Sequence, residues 1–63
     1  MKNHTRLGVQ KAREGFRTVV DNALIKGEIT VVDRHGKPVV AVVPYEWFER
    51  AEEALARFER DES

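Results

Sequence analysis

The stretch VDRHGKPVVAVVP, residues 32–44, holds a turn and then five consecutive apolar residues, four of them valine. Arg34-His35-Gly36-Lys37 supplies the turn, with Gly36 free to take a positive φ because it has no Cβ. Pro38 stands first in the returning strand, where a missing N–H is tolerated. Residues 28–33 and 38–43 therefore predict the two arms of a β-hairpin. Side chains of a strand alternate between faces, so a sheet with one wet face alternates apolar and polar residues. Neither ITVV (29–32) nor VVAVV (39–43) alternates. Both faces of this hairpin need cover, and the chain is only 63 residues long.

A chain of that size is one domain at most. It buries only about 60% of the surface its unfolded form exposes. Disulfides, a structural metal or oligomerisation usually supply what such a core lacks. There is no cysteine, which excludes disulfides and thiolate zinc sites, and His4 and His35 lie far apart in different contexts. Oligomerisation remains, and it would also cover the second face of the sheet. No apolar run approaches the ~18–20 residues of a membrane span, and the first residues lack a signal-peptide core. No membrane association and a cytoplasmic location are expected.

Outward from the hairpin, Thr5 and Leu7 can start a short edge strand in an otherwise polar beginning. From Val9 the period becomes helical, with Val9, Ala12, Phe16, Val19, Val20, Ala23 and Leu24 in one stripe. Gly8 is an acceptable N-cap, and Gly27 follows Lys26 at the C-terminal end. Gly15 falls outside the stripe and costs about 1 kcal/mol relative to alanine inside a helix. Pro44 opens a second helix, where Trp47, Phe48, Ala51, Ala54, Leu55 and Phe58 form another stripe. The order is β-α-β-β-α, an α+β fold. Trp47, Phe48 and Ala51 are expected in the core, close to the sheet. Leu55 and Phe58 lie roughly 12–17 Å farther along the helix, and they are expected to anchor another protein.

The net charge is zero, but it is divided. Residues 1–17 carry Lys2, Arg6, Lys11, Arg13 and Arg17 against Glu14 alone, a balance of +4. Residues 44–63 carry seven acids against Arg50, Arg57 and Arg60, a balance of −4. A dimer would double the basic end to +8. Such asymmetry points to a polyanionic partner at one end and a different partner at the other. At 100° per residue, Gln10, Arg13 and Arg17 share one helix flank bordering the apolar stripe. Arginine reads guanine bidentately and glutamine reads adenine. An ordinary solvated helix edge, with Arg13 paired to an acid elsewhere in the fold, is the alternative.

Catalysis finds little support. A nucleophilic mechanism needs an activated hydroxyl or thiol beside an oriented base, and the only serine is Ser63. Glu52-Glu53 suits a wet helix face. Gly36-Lys37-Pro38 lacks the glycine spacing and the Ser/Thr of a phosphate loop. Neither an enzyme nor a cofactor is expected.

Ala12-Arg13 followed by Phe16, the helix to Gly27, then ITVVDRHGKPVVAVVP and Tyr45-Glu46 resemble the Phd/YefM antitoxins of bacterial type II toxin–antitoxin modules. The resemblance implies a homodimer in which the hairpins of two protomers associate, so that the other subunit covers the second sheet face. It further implies an autorepressor that binds its operator, an inverted repeat, through the N-terminal segment and first helix. Carried over by position, the basic site falls on Arg6, Lys11, Arg13 and Arg17. Arg13 matches a recurrent family position, while the others, with Gln10, rest on charge and wheel geometry. Residues 1–58 would form the DNA-binding and dimerisation domain and residues 59–63 a frayed polar end. The resemblance also implies a cognate toxin, either an mRNA-cleaving ribonuclease or a Doc-like toxin, met by Leu55 and Phe58. Family members usually continue into a disordered toxin-binding segment. For a chain ending at Ser63 three expectations stay open: a truncated domain, neutralisation by the second helix alone, or repression only. A dimeric protein-binding adaptor without DNA binding is the competing class. A ribbon-helix-helix repressor is disfavoured by the hairpin between the helices.

Overall fold

The computed structural model describes residues 4–62, with side chains as far as residue 60. Lys2 and most of the expected frayed end lie outside the described residues or side chains. Strand β1 (His4–Gly8) leads into helices α1 (Val9–Glu14) and α2 (Phe16–Lys26). The hairpin strands β2 (Ile29–Arg34) and β3 (Lys37–Val42) follow, and helix α3 (Tyr45–Glu62) closes the order. The three strands form one sheet in the order β1-β2-β3. β1 lies parallel to β2, with Gly8 opposite Asp33, and β3 lies antiparallel to β2, with Val42 opposite Thr30.

The strands run closer to the turn than expected, leaving a two-residue loop. Only His35 and Gly36 lie outside the strands, and both have positive φ, 54° and 77°. Positive φ at both central residues is the requirement of a type I′ turn, whose twist matches that of the flanking strands. Beyond the turn the register shifts between Val32 and Asp33: Asp33 faces Pro38 while Val32 faces Val40. Val39 is the extra residue of a β-bulge. It lets the chain place Pro38, which has no N–H to donate, within a paired strand.

The expected single first helix is two helices joined at Gly15, where φ is −111° and ψ 31°. The Gly15 N–H still reaches the Lys11 carbonyl at 3.0 Å, and the Gly15 carbonyl accepts from the Val19 N–H at 3.0 Å. Glycine's low helix propensity gives way here as a joint between helices. A Cβ at this position would meet nothing nearer than the Lys11 carbonyl oxygen at 3.6 Å. Gly15→Ala is thus expected to raise the melting temperature, by an amount up to about 1 kcal/mol of stability. It should also raise the far-UV helical signal; a lower melting temperature would show that the joint itself is required. At the other end of α2, Gly27 takes the left-handed conformation (φ 68°), and the Glu28 N–H closes back on the Asn22 carbonyl at 3.1 Å.

The core is small. Among the described residues Ala12, Val19, Ala23, Ile29 and Val32 are buried with Thr30, so only three of these apolar core side chains exceed alanine in size. Thr5 and Leu7 of β1 are half-buried while His4, Arg6 and Gly8 are exposed. The register pairs Thr5 with Thr30 and Leu7 with Val32, which identifies the face that α1 and α2 cover. The apolar stripe of the first helical region splits as a result. Ala12, Val19 and Ala23 face the sheet, whereas Phe16, Val20 and Leu24 stay exposed, Leu24 at 78%.

The expectation that Trp47, Phe48 and Ala51 join the core is not met. Among the described residues the backbone of α3 stands clear of the other elements. Trp47 and Phe48 are 37% and 43% exposed, and Ala51 is only half-buried. Pro44 precedes the helix rather than opening it, and its carbonyl accepts from the N–H groups of Trp47 and Phe48 at 3.0 and 3.2 Å. Helical geometry then continues to Glu62. Standing off the sheet, α3 stretches the molecule to 42 Å and raises the radius of gyration to 13.7 Å, against about 11 Å for a compact chain of this length. Among the described residues no helix is long and apolar enough to cross a membrane.

Candidate nucleic-acid interface

The topology turns a charge gradient along the chain into one across the molecule. β1 runs parallel to β2, so α1 begins beside Asp33, at the sheet end that carries the hairpin turn. α2 starts there too and runs back. β3 ends opposite the beginning of β2, so α3 leaves from the other end of the sheet. Lys11 and Arg13 on α1 and Arg17 at the start of α2 are exposed at the turn end. The acidic residues of α3 depart from the opposite end.

Two further cations belong to this end and were missed from sequence. Arg34 and Lys37 face each other across the mouth of the turn, both exposed. Like charges directly opposite in an antiparallel pair are unfavourable, and that juxtaposition was the available signal. Reading residues 34–37 as one undivided turn concealed it.

Within α1 the side chains form a short relay. The Arg13 Nη2 donates to Gln10 Oε1 at 3.2 Å, and Gln10 Nε2 donates to Glu14 Oε2 at 3.1 Å. Arg13 therefore pairs with an amide rather than with a distant acid. Arg17 lies beyond the Gly15 joint, on α2, so its placement relative to Arg13 depends on that joint as well as on helix spacing.

Arg6 stands apart from the helix cations. It alternates with Thr5 and Leu7 and so lies on the sheet face that α1 and α2 leave open. There its Nε and Nη2 donate to Asp33 Oδ2 and Oδ1 at 3.2 and 3.1 Å, a side-on bidentate pair. The register explains the meeting. Arg6 is opposite Val31, and Asp33, two residues on, shares Val31's face as a diagonal neighbour. Arg6 was expected to serve phosphate, and in this structure it is already engaged.

Leu55 and Phe58 are 60% and 61% exposed on α3. They continue a stripe with Phe48 and Ala51 at spacings of three and four. The Tyr45 ring sits against Phe48, centroids 5.9 Å apart, and borders an apolar recess with Val20, Leu24, Val42 and Pro44. Among the described residues no group of three or more His, Asp or Glu side chains is placed to hold a metal ion.

A sheet covered on one face, with cations at one end and an amphipathic acidic helix projecting from the other, defines a small two-ended α+β domain. The family model of the Phd_YefM antitoxins, of type II toxin–antitoxin systems, matches residues 5–62. That is nearly the whole chain, and the chain belongs to this family of antitoxins. No curated protein and no solved structure matches the chain significantly.

Proposed function

We propose that the protein is an antitoxin-type repressor that binds its own operator as a homodimer and engages a toxin through α3. The observation that carries this reading is the separation of its two surfaces, Lys11, Arg13, Arg17, Arg34 and Lys37 at one end of the sheet and α3 at the other. Lys11, Arg34 and Lys37 serve phosphates, Arg13 and Arg17 read base edges, and Gln10 holds Arg13 in place. Two-fold symmetry of a dimer presents the same helix edge twice, so the operator is an inverted repeat. Dimerisation draws on the surface left open by the small core: β3 with Val39 and Val40 at 49% and 59% exposure, and Phe16, Val20 and Leu24 on α2.

A titration with duplex from upstream of the protein's own gene, at several salt concentrations, tests this reading. Preferential binding over a scrambled duplex is expected, and Lys11→Ala should weaken both duplexes alike. That loss should flatten the salt dependence by about one unit of slope per phosphate contact removed. Equal binding of Lys11→Ala and the unmodified protein, or no preference for the upstream duplex, would replace the repressor with a protein-binding adaptor.

A further inference from the structure

An acid stands inside the cationic end. Asp33 lies opposite Gly8, at the very start of α1, and its side chain is 21% exposed. Its carboxylate lies with Arg6 on the sheet face that α1 and α2 leave open. It is bound side-on to Arg6, which is 57% exposed. Neither residue needs the other to fill a core. The pair ties two strands already joined by their backbone ladder, and an exposed ion pair adds little to stability.

We propose that Asp33 is an internal counter-anion that withholds Arg6 from phosphate and so sets the strength and salt dependence of the sequence-independent part of DNA binding. This rests on the operator-binding reading and deepens it. Non-specific affinity comes from cations that replace DNA counterions. A guanidinium whose Nε and Nη2 are already on a carboxylate releases no counterion on balance, because a phosphate must first displace an anion of equal charge. The side-on geometry suits that role, because a guanidinium matches a carboxylate as well as it matches a phosphate. Arg6 is thereby separated in function from Lys11, Arg13 and Arg17, which no carboxylate engages bidentately among the described residues.

Asp33→Asn keeps the shape of the side chain and removes its charge. Titrations of this variant, Arg6→Ala and the double variant, against upstream and scrambled duplexes over a salt series, test the proposal. Asp33→Asn should bind both duplexes more tightly and alike, with a salt slope steeper by about 0.9 for each protomer. The double variant should return to the unmodified protein's non-specific affinity. Arg6→Ala alone should leave the slope unchanged, a readout that survives even if Asp33→Asn folds poorly. An unchanged slope in a folded Asp33→Asn, or a slope flattened by Arg6→Ala, would overturn the role of Asp33 while leaving operator binding intact. Failure of the unmodified protein to bind either duplex would instead remove the operator reading beneath it.

Discussion

A Val40→Asp chain is expected to run as a monomer and to melt at least about 10 °C below the unmodified protein. Val40 shares a sheet face with Val32 and lies beyond the cover of α2, 59% exposed on a strand whose outer edge is unpaired. Phe16, Val20 and Leu24 extend the same apolar surface along α2. In the proposed dimer this surface is dry, and an unpaired charge placed in it costs about 3–5 kcal/mol. For a domain of this size each kcal/mol moves the midpoint by about 4–8 °C. Among the described residues the subunit left behind has only Val19, Ile29 and Val32 as sizeable core side chains, so dissociation and unfolding should be nearly one event. Thr18→Asp, on the opposite side of α2 from Val20, serves as the control and should change neither property. Sedimentation and melting at several concentrations check both, since the midpoint of a dimer rises with concentration. A Val40→Asp chain that sediments and melts like the unmodified protein would show that this surface is not the interface.

Arg13→Ala should produce the largest loss of operator binding. A base-reading arginine contributes about 1–3 kcal/mol, and a symmetric dimer loses two. The expected weakening is therefore at least about 30-fold, with relaxed preference at one base pair in each half-site. Binding to scrambled duplex should fall much less. Gln10→Ala offers a graded comparison, because it removes the 3.2 Å contact that holds Arg13 and leaves the charge in place. It should reduce discrimination with little change in salt slope. Equal losses of Arg13→Ala on upstream and scrambled duplexes would reassign Arg13 to phosphate.

The hairpin, the helical stretches and their order were legible because each rests on local chemistry. Gly36 sits where a positive φ is needed, Pro38 lies next to the first residue of a strand, and apolar residues recur at helical spacing. What escaped depended on contacts that no local pattern encodes. An apolar stripe says that a helix will be covered, but not by what. The stripe from Val9 to Leu24 was therefore read as one surface, although the sheet takes only its Ala12, Val19 and Ala23 side. The aromatic start of α3 misled for the same reason, since Trp47 and Phe48 are as compatible with an external partner as with a core. Gly15 carried a signal, an unexplained glycine inside a helix, whose meaning as a joint emerged only from the backbone angles. For the site, helix spacing brought Arg13 beside Gln10 correctly. The strand register that gives Arg6 to Asp33, and sets Arg34 against Lys37, lay outside any one-dimensional pattern.

The bulge at Val39 bears on how many copies can join. An open strand edge is a template, and one flat along its whole length invites successive chains to add without limit. Here the half of β3 nearest the turn is spoiled for that purpose: Lys37 is charged, Pro38 lacks a donor, and the extra residue bends the strand. Only the short run from Val40 to Val42 keeps regular pairing geometry. Three residues can align two chains about a dyad but are too few for the six- or seven-residue segments that build fibrils. The irregularity that accommodates one proline thus also favours an assembly that closes over one that grows.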